Sequence, residues 1–299
     1  MAETKLWIKA FRLRTLPLAM ASIGMGSFLA AAAGSFNLLI FSLSILTTVF
    51  LQILSNLSND YGDFVHGADS DERSGPDRLV QSGKISAGAM KTAMAIFVLL
   101  SLLSGLSLLY VAFGLNWKIF GIFLGLGIVA IIAAITYTSG SNPYGYIGLG
   151  DISVVLFFGL TGVLGSYYLF TQEFNWLLVL PSLAVGLFST AVLNVNNIRD
   201  IESDRLAGKR SIPVRLGRDR SVWYHWILLF TGIFSALCYA VLTYESLYQF
   251  MFVLVIPLLF VNALAVKNKR EAALLDPYLK QMAITTLLFV LTFGIGLLL

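Results

Sequence analysis

Long apolar stretches separated by short polar links run along the whole chain. A helix needs about 20 consecutive apolar residues to cross the hydrocarbon core of a bilayer, and nine stretches come close to or exceed that length. The predicted spans are residues 15–34, 37–58, 88–113, 117–138, 151–171, 175–197, 222–243, 247–266 and 279–299. Since the links leave no room for a soluble domain, the pattern predicts an all-α polytopic membrane protein whose residues 1–299 form a single domain.

The composition agrees with a chain that faces lipid. Hydrophobic residues make up 58% and charged residues 12% of the sequence, whereas a soluble domain carries about 25% charged residues. Cys238 has no second cysteine with which to form a disulfide, and His66 and His225 are too far apart in sequence to suggest a zinc site. Any metal ion is therefore expected to have oxygen ligands.

The distribution of Lys and Arg predicts the orientation. Basic residues are retained on the cytoplasmic side of a membrane, and of the 20 Lys and Arg residues only Lys118 falls in a link on the opposite side. We therefore expect the chain in the inner (plasma) membrane, with the N-terminus in the cytoplasm and the C-terminus outside. The net charge of +4 comes from these links, and without a nucleic-acid motif it predicts no nucleic-acid partner.

Two cytoplasmic links, 56–78 and 194–210, hold most of the acidic residues. Each carries three polar residues that share one face if the preceding helix continues beyond the membrane. These sets are Asn56, Asp60 and Asp63 in the first link and Asn196, Asp200 and Asp204 in the second. The Asn-to-Asp spacing of four recurs about half a chain later, which predicts a pseudo-twofold bundle with both sets facing one mouth.

Such like charges repel each other along a helix, so a cation is expected to compensate them. Carboxylate and amide oxygens suit Mg²⁺, which is commonly shared between one or two carboxylates and substrate phosphates. Basic residues that can bind phosphate oxygens follow both sets. They are Arg73, Arg78 and Lys84 after the first and Lys209, Arg210 and Arg215 after the second. Solvated helix ends would explain either set alone, but the repetition favours a metal–diphosphate site.

Four segments carry a family signature, at residues 10–17, 56–63, 137–151 and 197–217. They resemble the UbiA superfamily of intramembrane aromatic prenyltransferases, an all-α family of nine helices with two Asp-rich motifs at a cytoplasmic mouth. Within the family they are most similar to members that act on 1,4-dihydroxy-2-naphthoate. The resemblance implies transfer of a prenyl group from polyprenyl diphosphate to this acceptor, with loss of diphosphate and CO₂, to give the demethylmenaquinone of menaquinone biosynthesis.

The resemblance also implies roles for individual residues. The implied catalytic carboxylates are Asp60, Asp63, Asp200 and Asp204, and these would bind Mg²⁺ together with Asn56 and Asn197. The implied substrate-binding residues are Arg14, Asn59, Arg78, Tyr137, Tyr146, Asp151, Lys209 and Arg215. The implied partners are polyprenyl diphosphate, 1,4-dihydroxy-2-naphthoate and membrane lipid, and the implied cofactor is Mg²⁺.

Two further features concern the apolar substrate. The link 139–150 is rich in Gly, Pro and Tyr, and we expect it to cap the mouth and exclude water from a carbocation. Tyrosine rings in and beside this link can face the cation. Gly121, Gly125 and Gly127 in the fourth span predict either close helix packing or a lateral opening for the prenyl chain.

Two alternatives remain open from the sequence. A prenyltransferase of this type can use 4-hydroxybenzoate or homogentisate as its acceptor. An ion-coupled membrane transporter is a more distant alternative, because transporters also contain internal repeats with acidic residues. Transporter sites lie near the middle of the bilayer, whereas both acidic sets lie near one membrane face, and this position favours the enzyme.

Overall fold

The computed structural model describes residues 2–67 and 79–299. Nine helices in this described part are long and apolar enough to cross a membrane. In chain order they are α1 (Thr4–Ala32), α2 (Leu38–Val65), α3 (Ala87–Phe113), α4 (Trp117–Thr136), α5 (Gly150–Thr171), α6 (Trp176–Arg199), α7 (Arg218–Leu242), α8 (Leu247–Asn268) and α9 (Ala272–Leu298). The predicted all-α architecture with nine spans is confirmed, and the chain is an integral multi-pass membrane protein.

Helix ends differ from the predicted ones where polar residues continue a helix past the membrane. α2 extends to Val65, about two turns beyond the predicted end at residue 58, and so includes the whole first acidic set. Helical structure begins at Ala2, ahead of the predicted span, and α1 is interrupted by a turn at Arg12, which has a φ of 49°, and by a short 3₁₀ segment at Leu13–Thr15. Apolar length measures only the part of a helix inside the hydrocarbon, which explains both differences.

Side-chain caps fix where several helices begin. Asn37 accepts a backbone N–H at 2.9 Å at the start of α2, and Ser86 accepts one at 3.1 Å at the start of α3. Asn175 does the same at 2.9 Å before α6. Caps of this kind contribute about 1 kcal/mol each. By setting the start of α2 and α6, they help to determine which side chains face inward at the other end of each helix.

α6 forms the centre of the bundle. Its residues Ala184, Val185, Phe188 and Ala191 are fully buried, and it packs against α5, α7 and α9. In contrast, α4 lies at the periphery, and Ile131 is its one buried residue. Apolar side chains on such outer helices face lipid, which is as apolar as they are.

Close backbone approach joins α1 to α5. A Cβ placed on Gly26 would lie 2.5 Å from the carbonyl oxygen of Val163 and would overlap the hydroxyl of Ser166. Small residues at helix crossings allow this approach inside a membrane. The wall between α1 and α5 therefore depends on the absence of a side chain at residue 26.

The glycines of α4 have a different environment. A Cβ on Gly121, Gly125 or Gly127 would meet no atom within 4 Å. Of the two alternatives predicted for these glycines, close packing of α4 against a neighbouring helix is therefore wrong. Gly127 instead lines the internal cavity described below.

We expect Gly26→Ala to destabilise the protein by about 1–3 kcal/mol, because the new methyl group must push α1 and α5 apart. The thermal unfolding midpoint in detergent should fall by several degrees. Gly121→Ala is the matched control, since its Cβ meets open space and alanine favours a helix. Equal midpoints for the two variants would contradict the close-approach interpretation.

Candidate active site

A cavity of about 450 Å³ extends into the bundle from the polar ends of α2 and α6. Its mouth is lined by polar residues that include Asn59, Asp63 and Asp200, and its deeper walls are largely apolar, with Phe123 among them. Along α2 the lining reaches from Asp63 to Ser44, which is about 30 Å at 1.5 Å per residue. A charged mouth thus opens into an apolar interior of roughly membrane thickness.

The first acidic set lies on the buried face of α2. Asn56, Asp60 and Asp63 are each at most 3% exposed. Asp63 faces the mouth, where the hydroxyl of Tyr146 donates to its Oδ1 at 3.0 Å. Asp60 is 3% exposed and accepts the backbone N–H of Leu79 at 3.3 Å. The continued helix therefore carries all three side chains inward, as the spacing predicts.

The second acidic set spans a break in the helix. α6 ends at Arg199, Asp200 has a φ of −98° and a ψ of 14°, and a short helix follows at Ile201–Leu206. The predicted continuous helix through Asn196, Asp200 and Asp204 is therefore wrong, and the low helix propensity of Asp suits Asp200 to the break. Backbone hydrogen bonds still bridge it, from Asp204 to Asp200 at 2.8 Å and from Asp200 to Asn196 at 3.1 Å.

Lys209 links the two acidic sets. Its ammonium nitrogen lies 3.3 Å from Oδ1 of Asp63 and 3.4 Å from Oδ1 of Asp204. The same ammonium lies 5.1 Å from the centre of the Tyr146 ring. Because both carboxylates are at least nine-tenths buried, their mutual repulsion is poorly screened. One positive charge therefore lies between carboxylates that come from opposite halves of the sequence.

This crowding changes the acidity of groups at the mouth. Burial raises the pKa of Asp204 to about 6; the charge of Lys209 opposes this rise, and the charges of Asp200 and Asp63 add to it. Burial, with the adjacent charge of Asp63, also raises the pKa of Tyr146. The Tyr146 hydroxyl therefore keeps its proton at neutral pH and acts as a donor to Asp63.

Asp200 is held by the neighbouring guanidinium. Nε and Nη2 of Arg199 donate to its two carboxylate oxygens at 2.8 and 2.7 Å. Nη1 of Arg199 donates to Asp276 at 2.7 Å, and Arg14 donates to the same carboxylate at 3.0 and 3.1 Å. Arg14, expected from the family resemblance to bind substrate, thus pairs with an acidic residue of α9. Sequence reasoning missed Arg199 and Asp276, since no local spacing connects residues so far apart.

The predicted asparagines have different environments. The amide of Asn56 donates to the hydroxyl of Thr15 at 3.0 Å and to a backbone carbonyl of α1 at 2.9 Å. Asn59 lines the mouth and accepts the hydroxyl of Thr138 at 3.2 Å. Asn197 also lines the mouth and is 7% exposed. All three asparagines line the cavity, and Asn56 also ties α2 to α1.

The link between α4 and α5 packs against the segment that follows the second acidic set. The carbonyl of Tyr146 accepts the N–H of Arg210 at 2.8 Å. Gly148 has a φ of 81°, and a Cβ there would lie 2.6 Å from the carbonyl oxygen of Arg210. Arg215, predicted to bind substrate, donates to the carbonyls of Ile147 at 2.6 Å and Arg210 at 2.9 Å. Arg215 therefore fastens this link rather than facing the acidic residues.

Tyr137 and Asp151, two more of the predicted substrate-binding residues, lie at the ends of the same link. Tyr137 lines the cavity, and its ring meets that of Tyr144 edge-on with centroids 5.3 Å apart. Asp151 is 7% exposed and accepts the hydroxyl of Tyr224 in α7 at 2.8 Å. Arg78 lies outside the described residues.

The groups at the mouth fit a Mg²⁺ ion that is shared with a diphosphate. Within residues 2–67 and 79–299, no three His, Cys, Asp or Glu side chains gather into a metal cluster. Mg²⁺ usually keeps several waters and takes one or two carboxylates together with phosphate oxygens, so a closed cluster is not required. Asp63 and Asp204, already separated by one cationic group, supply two such carboxylates, with Asp200 lining the same cavity.

Comparison with known proteins gives consistent results. Residues 18–297 match the UbiA prenyltransferase family. The chain is 47% identical to the 1,4-dihydroxy-2-naphthoate octaprenyltransferase of Haemophilus influenzae, over 99% of this chain and 96% of that protein. It is 45% identical to the Escherichia coli protein of the same name, over 97% and 95%. A structure of a UbiA homologue from Archaeoglobus fulgidus bound to DMAPP and Mg²⁺ is similar with a TM-score of 0.63 and 18% identity, over 95% of this chain and 98% of that chain.

Proposed function

The chain belongs to the UbiA prenyltransferase family, and we propose that it transfers a polyprenyl group from polyprenyl diphosphate to 1,4-dihydroxy-2-naphthoate. Diphosphate and CO₂ leave, and the product is the reduced form of demethylmenaquinone, an intermediate of menaquinone biosynthesis. Relatives named for this acceptor, matched over nearly their full length, support the choice. The observation that carries the proposal is the meeting of Asp63 and Asp204 around Lys209 at the mouth of an apolar cavity.

The cavity separates the two ends of the donor. Its deep apolar part accommodates an isoprenoid tail, whose burial is favourable by about 25 cal/mol per Å². The diphosphate then lies at the mouth among Asn59, Asn197 and Lys209. A tail longer than the cavity continues into membrane lipid, which is the solvent around the bundle.

We assign Mg²⁺ to the mouth, where it neutralises charge on the diphosphate and so makes it a better leaving group. The residues assigned to hold it are Asp60, Asp63, Asp200 and Asp204, with Asn56 and Asn197. The structure of the Archaeoglobus fulgidus homologue with DMAPP and Mg²⁺ supports this choice of ion. Asp63 and Asp204 are the best supported of these ligands, because their carboxylates lie on either side of the Lys209 ammonium.

The side chains at the mouth act on the bond that breaks. Lys209 donates to diphosphate oxygens as the electron pair of the C–O bond moves to the leaving group. The Tyr137 ring offers its electron-rich face to the allylic cation, and a C–C bond forms to the acceptor ring. Tyr146 keeps Asp63 oriented through its hydroxyl. The link 139–150, whose Tyr146 carbonyl accepts the backbone N–H of Arg210, excludes water that would otherwise hydrolyse the cation.

Mg²⁺ affinity should fall as the pH is lowered. Because a metal ligand must be deprotonated and the pKa of Asp204 is raised to about 6, we expect affinity to be constant above about pH 7 and to fall by up to about tenfold per unit below about pH 6. Calorimetric titration of donor-free protein with Mg²⁺ measures this without the titration of the diphosphate. The control Asp219→Asn, at an exposed residue, should keep the same profile. Equal affinity from about pH 5 to 8 would contradict a ligand role for Asp204.

The reaction is tested with purified protein in detergent, a radiolabelled polyprenyl diphosphate and Mg²⁺, with and without EDTA. The acceptors compared are 1,4-dihydroxy-2-naphthoate, 4-hydroxybenzoate and homogentisate. A lipid-soluble product formed with the naphthoate and prevented by EDTA is the expected result. Product with another acceptor alone would overturn the acceptor but keep the metal chemistry. If no product forms with any of the three acceptors, the result contradicts prenyl transfer and favours the ion-coupled membrane transporter.

The proposal also includes the orientation of the chain in the membrane and its organisation as one domain. We assign the catalytic mouth and the N-terminus to the cytoplasmic side and the C-terminus to the outside of the inner membrane, because the basic links lie at the mouth. We also propose that residues 1–299 form one catalytic domain. Labelling of single cysteines introduced at Lys5 and at Leu299, in a Cys238→Ser background, with a membrane-impermeant thiol reagent tests the orientation in intact cells. Labelling of the first and protection of the second would overturn it.

A further inference from the structure

A chain of charged side chains connects Asp200 and its neighbour Arg199 to two distant parts of the sequence, at Asp276 and Arg14. Arg14 in α1 donates to both oxygens of Asp276 in α9 at 3.0 and 3.1 Å. Asp276 accepts Nη1 of Arg199 at 2.7 Å, and Arg199 holds both oxygens of Asp200 at 2.7 and 2.8 Å. Asn196 accepts Nη2 of Arg199 at 3.0 Å. The planar guanidinium of Arg199 is thus fixed by three acceptors.

Burial differs among these charged side chains. The side chain of Arg199 is 1% exposed and that of Asp200 is 3% exposed. Asp276 and Arg14 are 37% and 27% exposed. A cation buried as deeply as Arg199 is unfavourable unless carboxylates compensate it, and Asp200 and Asp276 do so from opposite sides.

We propose that Asp276 is a positioning residue for the metal–diphosphate site, holding Arg199 so that Asp200 presents its carboxylate to Mg²⁺ in a fixed orientation. This inference rests on the proposed function of the mouth. Partners that lie behind a metal ligand orient it, and their loss commonly weakens metal affinity about 10–100-fold. Asp276 occupies such a place although it lies outside both acidic sets.

The charges explain why Asp276 matters when the ion is bound. An ion bound to Asp200 would take up part of that carboxylate's negative charge, and Asp276 would then supply the rest of the charge that compensates the buried guanidinium. Without the negative charge of Asp276, the guanidinium of Arg199 would lose that fixing contact and would no longer hold Asp200 in one orientation. Arg14 and Arg199 would also face each other as like charges around residue 276.

The test is Asp276→Asn in the full chain, purified in detergent. Calorimetric titration with Mg²⁺ should show affinity weakened about 10–100-fold, and the Mg²⁺ concentration for half-maximal prenyl transfer should rise in parallel. At saturating Mg²⁺, kcat should stay within about threefold of the wild type, because Asp276 acts on the ligand and not on the substrate. Asp276→Glu keeps the charge and should recover much of the affinity.

The matched control is Glu202→Gln, which removes a negative charge two residues from Asp200. Glu202 is 79% exposed and pairs with Arg205 at 2.8 Å, so its loss should leave Mg²⁺ affinity within about twofold. If Asp276→Asn and Glu202→Gln weaken Mg²⁺ affinity equally, the loss comes only from removing a nearby negative charge, and the inference is overturned. Unchanged affinity in Asp276→Asn also overturns it.

If Asp276→Asn fails to fold, a second variant tests whether Arg199 connects Asp276 to the metal site. Arg199→Lys keeps the positive charge but cannot form the planar fork, and it tests the same connection from the other side. Weakened Mg²⁺ affinity with an unchanged kcat at saturation supports the inference, and unchanged affinity contradicts it. Wild-type protein that binds Mg²⁺ but makes no prenylated product would overturn the proposed function while leaving the link between Asp276 and Mg²⁺ affinity measurable.

Discussion

Asn in place of Asp63 is expected to lower kcat/KM for prenyl transfer about 10³-fold, which corresponds to about 4 kcal/mol. The amide has the shape of the carboxylate but lacks its charge. That charge faces Asp204 across Lys209, where the metal–diphosphate pair is proposed to bind. Because Asp63 is 2% exposed, water does little to replace the lost interaction. Removing a single electrostatic contact at a reacting centre already costs about 10²–10³-fold.

Steady-state rates with polyprenyl diphosphate and 1,4-dihydroxy-2-naphthoate at saturating Mg²⁺ measure this effect. Asp219→Asn makes the same chemical change at an exposed residue in the first turn of α7 and should stay within about twofold of the wild type. An Asp63→Asn enzyme that kept a tenth or more of the wild-type kcat/KM would show that the facing carboxylates do not form the catalytic centre.

Met in place of Lys209 is expected to have two opposite effects. The kcat/KM for the donor should fall about 100-fold, because the charge that stabilises the departing diphosphate is lost. Binding of Mg²⁺ to donor-free protein should instead become tighter, because Lys209 no longer occupies the space between Asp63 and Asp204. Without Mg²⁺ the two buried carboxylates face each other uncompensated, so the unfolding midpoint should be lower than in the wild type and should rise more on adding Mg²⁺.

Rates, calorimetric titration and thermal unfolding together separate the two effects. Lys267→Met, at an exposed residue of α8, is the control and should change none of the three measurements appreciably. If Lys209→Met weakened Mg²⁺ binding as much as it slowed the reaction, this would contradict the expectation that Lys209 occupies the Mg²⁺ position between Asp63 and Asp204 in the donor-free protein.

The nine spans could be predicted from the sequence because each depends only on a local run of apolar residues. The inward direction of Asn56, Asp60 and Asp63 could also be predicted, because it follows from helical periodicity within one element. The repeated Asn-to-Asp spacing was a sufficient signal to place a second acidic set at Asp200. Each of these predictions depends on the residue pattern within a single helix or its flanking link and on no contact between helices.

What could not be predicted depends on contacts between distant segments. The helix ends at Arg199, whose side chain pairs with Asp276, 77 positions along the chain, and helical periodicity within one element gives no sign of that contact. Arg14 and Arg215 carry the charge expected of diphosphate ligands, yet the fold engages them with Asp276 and with loop carbonyls. Charge and spacing identify residues able to bind an anion, but only packing determines which partner each one meets.

The separation between Arg14 and Asp276, 262 positions along the chain, has a consequence for biogenesis. Membrane helices emerge from the ribosome in order, so both acidic sets are synthesised before α9. Until α9 is inserted, Arg14 and Arg199 approach each other without the carboxylate that joins them. The nascent protein is therefore expected to gain its working metal site at the last insertion step, so that a chain interrupted before Ala272 would reside in the membrane without consuming the prenyl donor.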